Sequence, residues 1–245
     1  MIEIENSRFG IPFTYIWFAE RPSRAAALRP VTYMHCAHLG DVMGFARAKK
    51  FTKIIDLREP PESILKGMSK NTSYKVKRAQ REGVTLRAVE ERDDFLRFYN
   101  AFAQSKRRAT IGAGQLGAWG RETVALAAVQ DDAALAMHSY VVDPLASRAC
   151  LMHSASHFRY SDDSKARNAI ARANRLLHYL AMRHFKDQGI EKYDMGGYAK
   201  DTTDPELETI NWFKDGFGGA LVEESTFYSY PMRALQIANR LRGAR

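Results

Sequence analysis

The sequence has few of the residues that hold small or metal-containing folds together. Its two cysteines, Cys36 and Cys150, show neither a CxxC nor a Cys/His spacing, which disfavours a disulfide framework and a thiolate zinc site. We therefore expect no metal. Long apolar runs are also missing, and the opening MIEIENSRFGIPFTYIWFAE carries early acidic residues. Because this segment has the pattern of neither a signal peptide nor a membrane span, we expect a cytoplasmic protein.

Acidic residues are fewer than basic ones. The chain has 28 Asp and Glu against 37 Lys and Arg, which gives a net charge of +9 and a pI near 9.6. This excess favours an anionic partner: a nucleic acid, a nucleotide-bearing cofactor, an anionic glycan or a lipid headgroup. Between residues 66 and 83, six cations precede the first acid, Glu82. A solvated helix face is the ordinary explanation of such a run, and a tRNA or a nucleotide- or lipid-linked sugar is the alternative.

Hydrophobic periodicity becomes clear from residue 84 onward. VTLRAVE predicts a strand, ERDDFLRFYNAFAQSKR a helix, and TVALAAVQ, AALAMHSYVVD and RACLMHSAS three strands of an antiparallel meander. A long helix over 164–188 follows, capped by Asp163 or Ser164 and ended by Gly189. IEKYDMG, ELETINWFKDG and ALVEESTFYSY then predict a strand, a helix and a strand. The order predicts an α/β fold with a mixed sheet and helices on its faces.

Three divisions of the chain follow from this pattern. Residues 1–83 are expected to form an N-terminal extension, with strands at FTYIWFA, VTYMHCAHL and FTKIIDL and a basic helix over about 62–82. Residues 84–231 form the predicted core. Residues 232–245 predict a basic amphipathic helix, which packs on the domain or makes a peripheral contact with the inner face of a membrane.

Four stretches in this order resemble a known superfamily: SYKVKRAQREGVTL, RANRLLHY, FKDQGIEKYDMGG and INWFKDGFGG, which together lie within residues 73–219. They are similar to the GNAT acyltransferases, in particular to the FemAB-related branch and its small single-GNAT proteins of bacterial polysaccharide biosynthesis. The resemblance implies the GNAT fold. It also implies transfer of an acyl group from acyl-CoA, such as acetyl-CoA, to an amino group of a sugar, a glycan or another cell-envelope precursor.

Two departures from the family pattern leave the donor open. The chain is shorter than the two-halved Fem ligases, which use aminoacyl-tRNA, and the segment HFRYSDDSKARNA lacks the glycines of a GNAT pyrophosphate loop. An aminoacyl-tRNA-dependent ligase that adds an amino acid to a cell-wall or glycan precursor is therefore the alternative. A non-enzymatic GNAT-like binding module is the second alternative.

The start of the predicted helix 164–188 is the expected site of the donor's phosphates. Free N–H groups and the helix dipole attract anions there, although Asp162 and Asp163 oppose them. Asn174 and His178 lie on one otherwise apolar face of the helix, so buried side chains there need partners. We assign Asn174 to the donor and His178 to catalysis, with a purely structural tie to the sheet as the alternative. The residues assigned to the donor are Arg159, Lys165, Arg167, Arg172 and Asn174.

Histidines on two neighbouring predicted strands are further candidates. His138 and His153 are expected to face the cleft, His153 as a catalytic group on the donor strand and His138 as a substrate contact. Packing is the alternative for each.

The strand end and helix over 193–219 provide the remaining candidates. Asp194 and Tyr198 follow a strand at the sheet edge where ligands gather, so both are predicted to be catalytic, Tyr198 as general acid. Capping of the Gly196-Gly197 turn is the alternative for Asp194. The resemblance assigns Lys214, Trp212 and Phe217 to the acceptor side, with Lys214 as a contact to an acceptor phosphate or carboxylate. A lysine at this position is also typical of a helix C-terminus.

Overall fold

A computed structural model describes residues 1–8, 10–117, 119–156 and 163–243. The strands are β1 (Ile2–Arg8), β2 (Ile11–Trp17), β3 (Val31–Cys36), β4 (Phe45–Asp56), β5 (Thr85–Ala88), β6 (Thr123–Gln130), β7 (Ala133–Asp143), β8 (Arg148–Ser156), β9 (Lys192–Gly197) and β10 (Ala220–Ser229). The helices are α1 (Pro61–Gly67), α2 (Lys70–Arg81), α3 (Arg92–Ser105), α4 (Ser164–Asp187), α5 (Pro205–Asp215) and α6 (Tyr230–Gly243), and the fold is a mixed α/β fold.

The chain forms two compact units, whose limits differ from the predicted divisions after residues 83 and 231. One contains residues 1–52 and 221–245, and the other contains residues 53–220. In the first unit the strand order is β1-β2-β3-β10-β4, with β2 and β3 parallel. Its core packs around Ile16, Tyr33 and Phe227. The N-terminal region is thus built mainly of strands.

The second unit contains the predicted meander. Its strand order is β4-β9-β8-β7-β6-β5, with β5 to β8 antiparallel and β9 parallel to β8. Side chains of β6 alternate between the two faces of the sheet. Leu126 and Ala128 pack in a cluster that contains the apolar face of α4, whereas Ala125 and Ala127 pack with α3. The two helices therefore cover opposite faces.

A β-bulge interrupts the pairing of β7 with β8. Ser139 lies opposite His153, but the next residue, Tyr140, lies opposite Leu151, so Met152 is the extra residue. An extra residue is left out of the ladder and shifts the alternation of side chains. Leu151 accordingly packs against the α4 cluster, while His153 contacts Tyr99 of α3.

The basic segment forms two helices, and the prediction of one continuous helix over 62–82 was wrong. Met68 and Ser69 between α1 and α2 have extended backbone angles. The Ser69 hydroxyl accepts a hydrogen bond from the Thr72 N–H and caps the new helix. A side-chain cap of this kind favours a helix start over a continuation.

The FGG sequence after α5 provides a close backbone crossing. Gly218 and Gly219 have φ values of +78° and +81°. A Cβ on Gly219 would lie 2.5 Å from the carbonyl oxygen of Ile54. Only glycine meets both requirements without strain.

Candidate functional site

A cavity of about 640 Å³ lies in the second unit, where β8 and β9 stop pairing. The parallel register runs from Arg148–Lys192 to Cys150–Asp194, and the residues that follow in both strands line the cavity. Tyr99 of α3 and His178 of α4 line it as well. Because these helices cover opposite faces of the sheet, the cavity is bounded from both faces beside the point where the β8–β9 pairing ends.

One face of α4 forms a wall of the cavity. Ala171, Asn174, Arg175 and His178 all line it, at the spacing i, i+3, i+4 and i+7 that places side chains on one helix face. Buried apolar residues such as Leu176 and Leu177 pack this helix into the core. Packing therefore fixes the position of the polar residues.

Five polar side chains form a continuous buried hydrogen-bond chain that begins and ends at α4. Asn174 Oδ1 lies 2.8 Å from His138 Nε2, and His138 Nδ1 lies 2.9 Å from the Tyr140 hydroxyl. The Tyr140 and Tyr193 hydroxyls are 3.1 Å apart, and the Tyr193 hydroxyl lies 2.7 Å from His178 Nδ1. The chain therefore connects two residues of the cavity wall through the interior.

The chemistry of the end group gives this chain a direction. An amide oxygen only accepts, so His138 carries its proton on Nε2 and accepts at Nδ1 from the Tyr140 hydroxyl. Tyr193 must then donate to Tyr140, and His178 Nδ1–H must donate to Tyr193. His178 is thus left with a lone pair on Nε2, which has no hydrogen-bond partner within the described part of the chain.

Burial keeps the histidines of this site neutral. It lowers the pKa of His138 to about 4 and that of His178 well below the usual 6.5; the nearby His138, Lys214 and Arg175 lower the latter further. His153 has a pKa of about 4 for the same reason, and its Nδ1 lies 2.8 Å from the Ser139 hydroxyl. At neutral pH all three side chains are uncharged.

The other charged residues of the cavity wall are mostly cations. Arg175 is 9% exposed and Lys214 is partly buried, and Lys106 and Arg108 are also present. Among the described lining residues the one carboxylate, that of Glu206, pairs with Arg108. Lys214 donates to the carbonyl oxygens of Gly196 and Gly197, and burial lowers its pKa. The electrostatic character of the cavity suits an anionic ligand.

Comparison with known families decides the classification. The sequence model described as the acetyltransferase (GNAT) domain matches residues 66–202, more than half of the chain. The protein belongs to the GNAT acetyltransferase family. It is accordingly a transferase, and the GNAT fold predicted from the sequence is confirmed.

Three solved structures illustrate the similarity of the fold. FemX superposes with a TM-score of 0.62 at 11% identity, covering 96% of this chain and 85% of FemX. The C-terminal DUF2156 domain of an Agrobacterium fabrum protein described as a lysylphosphatidylglycerol synthetase superposes with a TM-score of 0.57 at 12% identity. The match covers 98% of this chain and 85% of that domain. L-PGS from Bacillus licheniformis has a TM-score of 0.53 at 11% identity, and the match covers 95% of this chain and 83% of L-PGS. A search of curated protein sequences finds no match.

Four of the predicted site residues of this GNAT protein line the cavity: His153, His178, Asn174 and Lys214. The expectation that His138 and His153 both face one cleft was wrong. His138 lies opposite Ser154 and His153 opposite Ser139, so the two rings lie on opposite faces of the sheet. His138 is fully enclosed and contacts two residues of the cavity wall, Asn174 through a hydrogen bond and His178 through its ring.

Asp194 and Tyr198 are not in the cavity wall. Asp194 is fully buried, pairs with Arg148 and accepts a 2.8 Å hydrogen bond from the Gly196 N–H. It therefore caps the Gly196-Gly197 turn. The Tyr198 hydroxyl donates to Asp215 at 3.0 Å. The pKa of Tyr198 is raised, mainly by desolvation and also by this hydrogen bond.

Two residues predicted for the acceptor side lie elsewhere. Phe217 is buried against the His178 ring, 4.9 Å between centroids, and supports it from behind the wall. Trp212 is 63% exposed and is not part of the lining. The aromatic residue of α5 that lines the cavity is Phe213.

The start of α4 is occupied by the protein's own carboxylate. Asp163 accepts hydrogen bonds from the Lys165 and Ala166 N–H groups, which confirms it as the N-cap. Arg172 makes a bidentate pair with Glu82 at 2.8 Å. Of the remaining predicted donor residues, Lys165 and Arg167 lie in the first turn outside the main cavity, and Arg159 lies outside the described residues.

A second cavity of about 440 Å³ lies between α2 and α4. Its lining contains Lys75, Arg78, Lys165 and Arg172, together with the exposed Tyr74. This places part of the basic run of residues 66–83 beside the helix that forms the main cavity wall.

Sequence reasoning missed Arg175, Met152 and the α3 residues of the cavity. Arg175 had a detectable signal, because Ala171, Asn174 and His178 share its helix face. The sequence holds no signal for the role of Met152, since a bulge depends on how two strands pair. Within the described residues, no helix is long and apolar enough to cross a bilayer.

Proposed function

We propose that the protein transfers an acyl or aminoacyl group to an amine of a sugar, glycan or other cell-envelope precursor, with the reaction in the main cavity. The observation that carries this proposal is the end of the β8–β9 pairing beside a cavity bounded from both faces of the sheet. A donor entering from one face and an acceptor from the other meet between the strand ends. The proposal also places the reaction in the cytoplasm.

Met152 and His178 are assigned the chemical roles. The bulge frees Met152 from the regular β7 ladder, so its backbone N–H is a candidate donor to the oxygen that becomes negative at the acyl carbon. The neutral amine attacks that carbon, and His178 Nε2 accepts its proton. The bond from carbon to the leaving sulfur or oxygen then breaks, and the leaving group takes the proton from His178. The low pKa of His178 favours this return.

His138, Tyr140 and Tyr193 are positioning residues in this scheme. They hold the proton of His178 on Nδ1, so that Nε2 faces the reaction as an acceptor. His153 is assigned to packing, because its ring lies against Tyr99 with centroids 5.0 Å apart and its nitrogen bonds Ser139.

Acyl-CoA is the donor that the GNAT family favours, and aminoacyl-tRNA is the second candidate. The second is supported by the Asp163 carboxylate, which occupies the first N–H groups of α4 where a pyrophosphate would bind. It is also supported by the basic second cavity and by the resemblance to the Fem ligases, and FemX shares the fold.

A donor panel tests the proposal. The protein is incubated with acetyl-CoA and longer acyl-CoAs, or with charged tRNA, and with amino sugars and amine-bearing precursors; products are identified by mass spectrometry. Acylated amine that forms with acyl-CoA and survives ribonuclease identifies the first donor, and ribonuclease-sensitive aminoacylation identifies the second. No transfer from either donor contradicts the proposal.

His178→Gln separates the catalytic role from general helix effects. We expect kcat to fall about 10²–10⁴-fold while the KM for the acceptor changes little, since a general base acts in the transition state. His184→Gln on the same helix is the matched control, because His184 does not line the cavity. Equal kcat values in wild type and His178→Gln would remove His178 from the mechanism.

A further inference from the structure

Arg175 is a buried cation in the wall of the main cavity. Its side chain is 9% exposed, and Nη1 donates to the Ala171 carbonyl oxygen at 3.1 Å. The buried Nε has no hydrogen-bond partner among the residues that the structure describes. The guanidinium lies 4.8 Å from the Phe213 ring centroid. Within the described part of the chain, no carboxylate pairs with it.

An arrangement of this kind is unfavourable in the free protein. Guanidinium groups remain protonated in proteins, so burial cannot be relieved by loss of the proton. Charges taken out of water are normally paired, and buried donors normally have acceptors. Neighbouring cations make the burial of Arg175 more unfavourable through charge repulsion. Lys214 lines the same cavity, and Arg175 is close enough to Lys75 to contribute to lowering its pKa.

We infer that Arg175 is the recognition site for a carboxylate or phosphate of the acceptor, with Lys214 as the second cation. This inference rests on the proposed transferase function and specifies its substrate class. The guanidinium has a planar fork of donors that matches such oxyanions bidentately, and its Nε is free to take part. Phe213 holds the plane of the guanidinium in place.

The position of Arg175 also limits where the acceptor carries its charge. Arg175 and His178 lie three residues apart on one face of α4, a spacing that brings side chains to about 5–6 Å. An anion on Arg175 therefore lies beside the nitrogen that takes the proton from the nucleophile. The acceptor has its amine within a few atoms of its carboxylate or phosphate, and a neutral amino sugar is a poor acceptor.

Thermal unfolding with simple anions tests the site without an activity assay. Sodium acetate and sodium phosphate are titrated against wild type at ionic strength matched with sodium chloride. At about ten times the dissociation constant, the bound anion raises the Tm by about 3 °C. Arg175→Met loses this rise. Arg183→Met keeps it, since it removes the same charge from an exposed position of the same helix.

The outcomes separate the two anions and can overturn the inference. A rise with acetate alone identifies a carboxylate site, and a rise with phosphate alone identifies a phosphate site. A rise that persists in Arg175→Met, or the absence of any rise in wild type, overturns the inference. If the anion response is lost in Arg175→Met but no acyl transfer is found, the site stands and the proposed function fails.

Matched acceptors provide the second test. An amine that bears a nearby carboxylate is compared with the corresponding amide through the ratio of their kcat/KM values. We expect this preference to fall at least tenfold in Arg175→Met and to stay within twofold in Arg183→Met. An unchanged ratio in Arg175→Met overturns the inference even if both amines are acylated.

Discussion

The Asp194→Asn variant distinguishes a structural carboxylate from a catalytic one. Asp194 is fully buried and accepts hydrogen bonds from the Arg148 guanidinium and the Gly196 N–H. The Arg148 side chain is itself only 8% exposed. Asparagine keeps the shape and an acceptor oxygen but removes the carboxylate charge that pairs with the buried Arg148 guanidinium. Breaking a buried pair in this way costs about 3–5 kcal/mol. For a chain of this size that lowers the Tm by about 6–20 °C.

The measurement is thermal and urea unfolding followed by circular dichroism, with activity measured at a temperature where each variant is folded. The matched control is Arg148→Met combined with Asp194→Leu, which removes both charges. Because apolar replacement of a buried pair is often close to neutral, we expect this double variant to be more stable than Asp194→Asn alone. If Asp194→Asn keeps the wild-type Tm but loses activity about 100-fold, the structural assignment is wrong.

Two further predictions concern stability. Burial lowers the pKa values of His138 and His153 to about 4 and that of His178 well below 6.5, so the unfolded state binds more protons than the folded state below pH 6.5. The free energy of unfolding is therefore highest above pH 6.5 and falls towards pH 4 by up to about 4 kcal/mol per pH unit for the three histidines together. A constant Tm from pH 6.5 to 5 would contradict this. Gly219→Ala lowers the free energy of unfolding more than Gly83→Ala does, since both have φ near +80° but only Gly219 meets a carbonyl oxygen; equal losses in urea titrations would show that backbone conformation alone matters.

Local pattern was sufficient to predict the meander and the long helix of the second unit. The predicted meander strands coincide with β6, β7 and β8, and Asp163 caps α4 as expected. Strand alternation and helix capping depend on neighbouring residues, so a single sequence shows them. The N-terminal strand β1 was missed because its sequence IEIENSR is polar in its second half.

The site was predicted only in part, because its geometry depends on contacts distant in sequence. His178, Asn174 and Lys214 reach the cavity as expected, but their partners come from β7 and β9. The bulge at Met152 places Leu151 and His153 on different faces, although alternation assigns them to one. Asp194 lies at the end of a strand, a position where functional residues are common, but in this fold it forms a buried ion pair with Arg148.

The hydrogen-bond chain from Asn174 to His178 is an element with two polarities. If the Asn174 amide turns over, its nitrogen donates to His138, and every proton along Tyr140 and Tyr193 shifts to the opposite side of its bond. His178 then carries its proton on Nε2 and becomes a donor. The amide and the imidazole both line the cavity, so a ligand that donates to Asn174 and one that accepts from it select different chemistry at His178. In the proposed mechanism, a ligand contact at Asn174 on one turn of α4 is thereby coupled to the protonation of His178 on the next.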